Sequence, residues 1–154
     1  MSIWFKEYTL EEVQPWTRHT LDEALGIEYV EIGPDYLKAS MPVDHRTVQP
    51  LRMLHGGASV ALAESLGSVA GTMCVDPHKQ YCVGVEINAN HLKSVREPDR
   101  VTGTARPLHL GRTIQVWEIR IENSRQELVC VSRITMAVRE YRPGELPQNK
   151  PVNR

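Results

Sequence analysis

One stretch constrains the fold of this chain more than any other. The twenty residues from Gly56 to Val75 contain a single formally charged side chain, Glu64. Ala58, Val60, Ala61, Leu62, Ala63, Leu66, Val69 and Ala70 lie nearly all round a 3.6-residue period. That distribution predicts a helix buried on most sides, since a surface helix would confine its apolar residues to one stripe. Gly, Ala and Ser dominate the segment, so neighbouring backbone can come close. Asp76-Pro77 ends it.

Such a helix needs a wrapping, and the flanking sequence supplies strands. Ile27–Ile32 and Tyr36–Val43 are short strand-like runs about the turn signal Gly33-Pro34-Asp35. After the helix come strand candidates at Tyr81–Lys93, Val101–Leu108, Thr113–Glu122 and Glu127–Arg139, the last two joined by a hairpin loop at Asn123-Ser124-Arg125-Gln126. Both faces of the last strand are partly apolar, which places it inside a sheet rather than at an edge. Residues 9–24 read as a helix, with Thr9 and Glu12 spaced as a capping box and Gly26 as the stop. Residues 44–55 read as loop. The fold class is therefore α+β, one antiparallel sheet wrapped around one long central helix. The other face of the sheet needs a second cover, for which a partner subunit is the simplest choice.

Length and composition narrow the function classes. The 154 residues fit one domain, expected over 1–141, with a Pro- and Gly-bearing tail at 142–154 expected to be flexible. A net charge of −1 offers no field for nucleic acid or an anionic membrane. No run reaches the roughly 18–20 apolar residues of a membrane span, and no secretory leader pattern opens the chain. Cys74, Cys82 and Cys130 are odd in number and widely spaced, as expected of reduced thiols in a cytoplasmic protein. No metal-ligand spacing occurs, and neither metal nor organic cofactor is expected.

Two features of the segment Gln49–Ser68 carry chemistry. The helix begins at Gly56-Gly57, where first-turn N–H groups lack intrahelical partners and sit at the positive end of the helix dipole. A carbonyl oxygen lodged there gains stabilisation as it becomes an oxyanion. A tight loop-to-helix junction would explain the glycines equally well. Glu64, in turn, is a lone carboxyl on an apolar helix. Burial would raise its pKa toward a range useful for a general base, and Ser68 at i+4 shares its face. The competing explanation is a solvated glutamate or one paired with an arginine.

The string His55-Gly56-Gly57-Ala58-Ser59 with Ala63-Glu64-Ser65 resembles the active-site helix of hotdog-fold thioesterases, in the 4-hydroxybenzoyl-CoA thioesterase branch that carries a helix glutamate. Within that branch it is most similar to the bacterial hydrolases acting on 1,4-dihydroxy-2-naphthoyl-CoA and to the proofreading thioesterases of the enterobactin pathway. Met41-Pro42-Val43-Asp44, Gly84–His91, Pro107–Gly111 and Gln115-Val116-Trp117 extend the likeness over roughly residues 4–138. The resemblance implies an acyl-CoA thioesterase, cytoplasmic and without cofactor, acting on an aromatic acyl-CoA. In it Glu64 is nucleophile or general base, and the Gly56 N–H polarises the thioester carbonyl. His55 orients the thioester end, Gln49 positions the carbonyl or the water, and Ser68 assists. The resemblance also places Gly84 beside the pantetheine and His91 near the substrate channel. Lys93, Arg96 and the turn His109-Leu110-Gly111-Arg112 are candidate contacts to the nucleotide and its phosphates. It implies a homotetramer built from dimers, with each active site shared between two chains. On that arrangement Glu64 and Gln49 can come from a different chain than His91 and the basic residues. Two other functions remain open on the sequence: a hotdog hydratase or dehydratase, and a non-catalytic acyl-CoA-binding module.

Overall fold

The computed structural model describes residues 1–142 and 144–145; the expected flexibility of the tail falls largely outside the described residues. Six strands form one antiparallel sheet: β1 (Glu28–Ile32), β2 (Leu37–Val43), β3 (Gln80–His91), β4 (Asp99–Leu110), β5 (Ile114–Glu122) and β6 (Leu128–Glu140). Their order across the sheet is β1-β2-β4-β5-β6-β3. The long helix α3 (Gly56–Met73) lies against the concave face. This is the hotdog fold, and the six strands and the long helix expected from the sequence are present within a few residues of their expected ends.

Strand alternation decides which side chains meet the helix. On β5, Gln115, Trp117, Ile119 and Ile121 are buried, whereas Ile114 and Arg120 are exposed. On β6, Ile134 and Met136 are fully buried. The close approach expected of a small-residue helix is realised at Gly67, where an added Cβ would stand 2.4 Å from Ile134 Cγ2. Gly103 on β4 reciprocates, since a Cβ there would stand 2.5 Å from Leu66 Cδ1. Helix and sheet thus approach through gaps left by glycines on both sides.

The N-terminal region departs from the single helix expected over 9–24. The capping box forms as expected, with Thr9 and Glu12 exchanging side-chain and backbone hydrogen bonds. The α-helix α1 nevertheless ends at Val13, because Pro15 brings no N–H to continue it, and Gln14–Thr17 is a 3-10 turn. His19 then takes a left-handed φ of 59°, and a second short helix, α2 (Leu21–Leu25), closes at Gly26 with φ 71°. Ahead of α1, Phe5 N–H donates to the Met73 carbonyl at the end of α3. Trp4 stacks on Trp117 with ring centroids 6.3 Å apart.

The two edges of the sheet differ. β1 is five residues long and carries a register shift at Tyr29/Glu31. β3 is twelve residues long, paired on one side only, with Val83 and Val85 exposed. Among the described residues no helix is long and apolar enough to cross a membrane. The three cysteines are free, and burial pushes the Cys74 thiol up to about 12 and the Cys82 thiol up to about 11.

Candidate active site

A cleft of about 360 Å³ opens at the N-terminus of α3, lined among others by Gln49, Gly56, Ser59, His91, Lys93 and Val129. His55 is the N-cap of α3, and its Nδ1 accepts the Gly57 N–H at 2.8 Å. That bond occupies Nδ1 as an acceptor and so leaves Nε2 as the ring nitrogen available to donate. The Ala58 and Ser59 N–H groups both donate to the His55 carbonyl. The Gly56 N–H is left with no acceptor among the described residues, and Gly56 lines the cleft. An unpaired donor at the positive end of an eighteen-residue helix is suited to a carbonyl oxygen or an anion.

Gln49 is held by its backbone, which donates to the Met53 carbonyl and accepts from Arg52 N–H, each at 2.8 Å. Its side-chain Oε1 accepts the Leu51 N–H, so Nε2 is left as a donor in the cleft. His91 projects from the inner face of β3 against the helix start. A Cβ on Gly56 would stand 2.9 Å from His91 Nε2, so glycine is what permits this contact. Lys93 lines the cleft while pairing with Glu127 at 2.5 Å. Hydrogen bonds from Asn123 and Lys93 lower the Glu127 carboxyl to about 2, which keeps that pair ionised. Arg96 opens onto an adjoining cavity with Arg125.

Glu64 stands elsewhere. Eight residues beyond Gly56, it lies about 12 Å further along the helix axis at 1.5 Å per residue. Its carboxylate packs over β3, where a Cβ on Gly84 would stand 2.3 Å from Oε1. It makes no hydrogen bond or ion pair among the described residues, and burial raises its carboxyl above the usual carboxylate range. Ser68 shares this flank, half-buried. The turn His109-Leu110-Gly111-Arg112 lies at the opposite end of the sheet from His91. His91 is level with Cys130 on β6, and Ile114 is level with Ala137. Those two positions on β6 are roughly 23 Å apart at 3.3 Å per residue. Leu110, Gly111 and Arg112 line a second cleft there, of about 630 Å³.

The expected site residues therefore fall into three groups within one protomer. Gln49, His55, Gly56, His91, Lys93 and Arg96 gather at the start of α3. Glu64, Ser68 and Gly84 lie on its middle, beside the open edge of β3. His109–Arg112 lie at the far end. Within one protomer the structure brings Gln49 and His91 to one cleft and sets Glu64 apart from both. It likewise separates Lys93 from Arg112. Ser59, fully buried and lining the cleft, was not singled out in the sequence; its position three residues after Gly56, on the same helix face, is the signal that marks it.

A hotdog sheet around one long helix, with an unpaired N–H at the helix start and an isolated carboxyl at its middle, suits a class of protein that hydrolyses acyl thioesters. The comparisons agree. Residues 51–130 match the thioesterase superfamily, and the chain belongs to it; it is a thioester hydrolase. It is 50% identical over 136 residues to the 1,4-dihydroxy-2-naphthoyl-CoA hydrolase of Escherichia coli, covering 88% of this chain and 98% of that one. It is 48% identical over 136 residues to a proofreading thioesterase of Cronobacter turicensis, with the same coverage. A crystal structure of a Pseudomonas aeruginosa thioesterase carrying a glutamine-to-alanine substitution superposes with a TM-score of 0.89 at 47% identity, over 91% of this chain and 100% of that one.

Proposed function

We propose that the protein hydrolyses an aromatic acyl-CoA to the free acid and CoA in a site shared between two protomers. The observation that carries this reading is the unpaired Gly56 N–H at the head of α3, facing the same cleft as the Gln49 amide. The thioester carbonyl oxygen accepts from Gly56 N–H and Gln49 Nε2, which become stronger partners as negative charge gathers on it. Glu64, with its raised pKa, takes the proton of the attacking water, or attacks the carbonyl carbon itself to form an anhydride that water then cleaves to the free acid and the restored carboxylate. The C–S bond breaks and CoA leaves as a thiolate past His91 and Lys93. Similarity to a hydrolase of an aromatic acyl-CoA supports the aroyl group. Three free thiols support a reducing compartment, the cytoplasm.

The 12 Å between Gly56 and Glu64 along one helix is too long for both to touch one carbonyl carbon, which supports supplying Glu64 from a second chain. The unpaired twelve-residue edge of β3 supports the means, continuation of the sheet into a partner's β3 about a two-fold axis. The sheet's outer face carries exposed Val83 and Ile114 and supports pairing of two such dimers into a tetramer.

Mixing the protein with benzoyl-CoA and a thiol reagent tests the reaction. Release of free CoA is expected, and kcat/KM across a panel is expected to favour aromatic over fatty acyl chains. Hydration of crotonyl-CoA without CoA release would favour a hydratase, and saturable binding without turnover would favour a binding module; either result overturns the proposal.

A further inference from the structure

The flank of α3 that Ser65 presents, about 100° round the helix from Glu64, meets a second carboxyl that hydrolysis does not use. Asp22 on α2 accepts a hydrogen bond from Ser65 Oγ at 2.5 Å. The Tyr29 hydroxyl on β1 stands 3.3 Å from the Ser65 carbonyl and also reaches Asp22. Tyr29 is buried, and burial raises the Asp22 carboxyl, against which the bonds from Ser65 and Tyr29 act. Ser65 is the residue next to Glu64. Among the described residues it is the one side chain of α3 that hydrogen-bonds to another element.

The rest of α3 has little to set its rotation about its own axis. Beside Glu64 its contacts with the sheet are apolar or run through glycine gaps at Gly67 and Gly103, which have no direction of their own; its polar tie to the sheet, Gln115 Nε2 donating to the Gly71 carbonyl at 3.4 Å, lies near its C-terminal end. A turn of about 10° moves a group at the helix's outer radius of about 5–6 Å by about 1 Å. A misplacement of that size at a reacting centre can cost about 100-fold in rate. Glu64, without a hydrogen-bonding partner among the described residues, depends on the helix for its aim.

We propose that Asp22, Tyr29 and Ser65 form a polar lock that fixes the rotation of α3 and so aims Glu64 over β3; they are positioning residues, not catalytic ones. The consequence for rate rests on the thioesterase reading above, whereas the consequence for the environment of Glu64 does not.

Ser65→Ala, Tyr29→Phe and Asp22→Ala, each checked for folding and unchanged assembly, are expected to lower kcat about 10-fold while KM moves less than about twofold, because ground-state binding at Gly56 is untouched. Asp22→Asn keeps an acceptor for Ser65 Oγ and is expected to retain most of kcat. A merely structural role would lower Tm and leave kcat per folded site unchanged. Titration of the Glu64 carboxyl by ¹³C NMR, with the resonance identified through Glu64→Gln, gives a readout independent of turnover. Ser65→Ala is expected to shift its midpoint down toward the ordinary carboxylate range, as the loosened helix lets the group reach water. If folded Ser65→Ala leaves both kcat and the Glu64 titration unchanged, the lock is overturned. If the wild type hydrolyses no thioester, the functional reading fails and the titration alone decides the lock.

Discussion

Glu64 is a carboxyl that the fold holds at a cost. Burial raises its pKa with no hydrogen bond or ion pair to oppose it. Below the ordinary carboxylate value of 4.5 the group is neutral in folded and unfolded chains alike and the cost is absent. As pH rises from there through the higher folded pKa, the unfolded chain ionises first, and stability is lost. Glu64→Gln removes the charge at nearly constant shape. Its Tm is therefore expected to match the wild type near pH 4 and to exceed it at pH 8, while kcat at pH 8 falls more than about 100-fold. A variant less stable than wild type at pH 8 would contradict the unpaired, desolvated carboxylate. Gly84 isolates the other half of the argument. An alanine Cβ there would stand 2.3 Å from Glu64 Oε1, and the carboxylate, as the end of a flexible side chain, can move aside. Gly84→Ala is accordingly expected to leave Tm within a few degrees but to cut kcat about 10-fold or more through displacement of Glu64. A simultaneous large fall in Tm would mean that Gly84 serves packing instead.

Gly67 is the contrasting case, and its effect belongs to the helix as an element. The atom an added Cβ meets at 2.4 Å is Ile134 Cγ2, part of a fully buried, branched side chain in a central strand. Neither helix nor sheet can give without opening the core, so Gly67→Ala is expected to destabilise by about 1–3 kcal/mol, although alanine is the better helix former. Urea denaturation measures this, and a stabilised variant would refute the close approach. The helix α3 was legible because its composition leaves no other home for it: nearly all-round apolar character is specific to a wrapped helix. The strands were legible because their alternation survives burial, as along Gln115–Ile121. The N-terminal helix was not, because capping and periodicity speak for its first turn but not for its continuation. Pro15 and the left-handed turn at His19 break it, and α2 is held by Asp22 and Ser65, forty-three positions apart. Gly56 and Glu64 stood out in the sequence as candidates, one at a helix start and the other as the lone charge on an apolar helix. The distance of Glu64 from Gln49 and His91 was not legible there, since it depends on which face of β3 carries His91 and on the register of β3 against β6.

At the scale of the whole molecule, the proposed shared site would make the assembly part of the catalyst, because Gly56 and Glu64 stand apart on one helix. In the proposed two-fold dimer each site would take its polarising group from one chain and its carboxylate from the other, so the two kinds of defect would complement one another. Consider a Glu64→Ala chain mixed with a Gln49→Ala chain, each nearly inactive alone. In a mixed dimer one site receives both defects and is dead, whereas the other receives an intact Gln49 from the first chain and an intact Glu64 from the second. Random exchange at equal amounts makes about half the dimers mixed, so activity is expected to recover to roughly a quarter of wild type. Had both groups belonged to one protomer's site, every site in the mixture would carry one defect and nothing would recover. Lys93 and Arg112 extend the same logic. They stand at opposite ends of one protomer, so if both meet one nucleotide they do so from different chains. Lys93→Ala and Arg112→Ala, mixed in the same way, are then expected to restore KM toward the wild-type value in a fraction of sites. Failure of the Glu64 and Gln49 pair to complement, with subunit exchange verified by mass labelling and the dimer by light scattering, would return the whole site to a single chain.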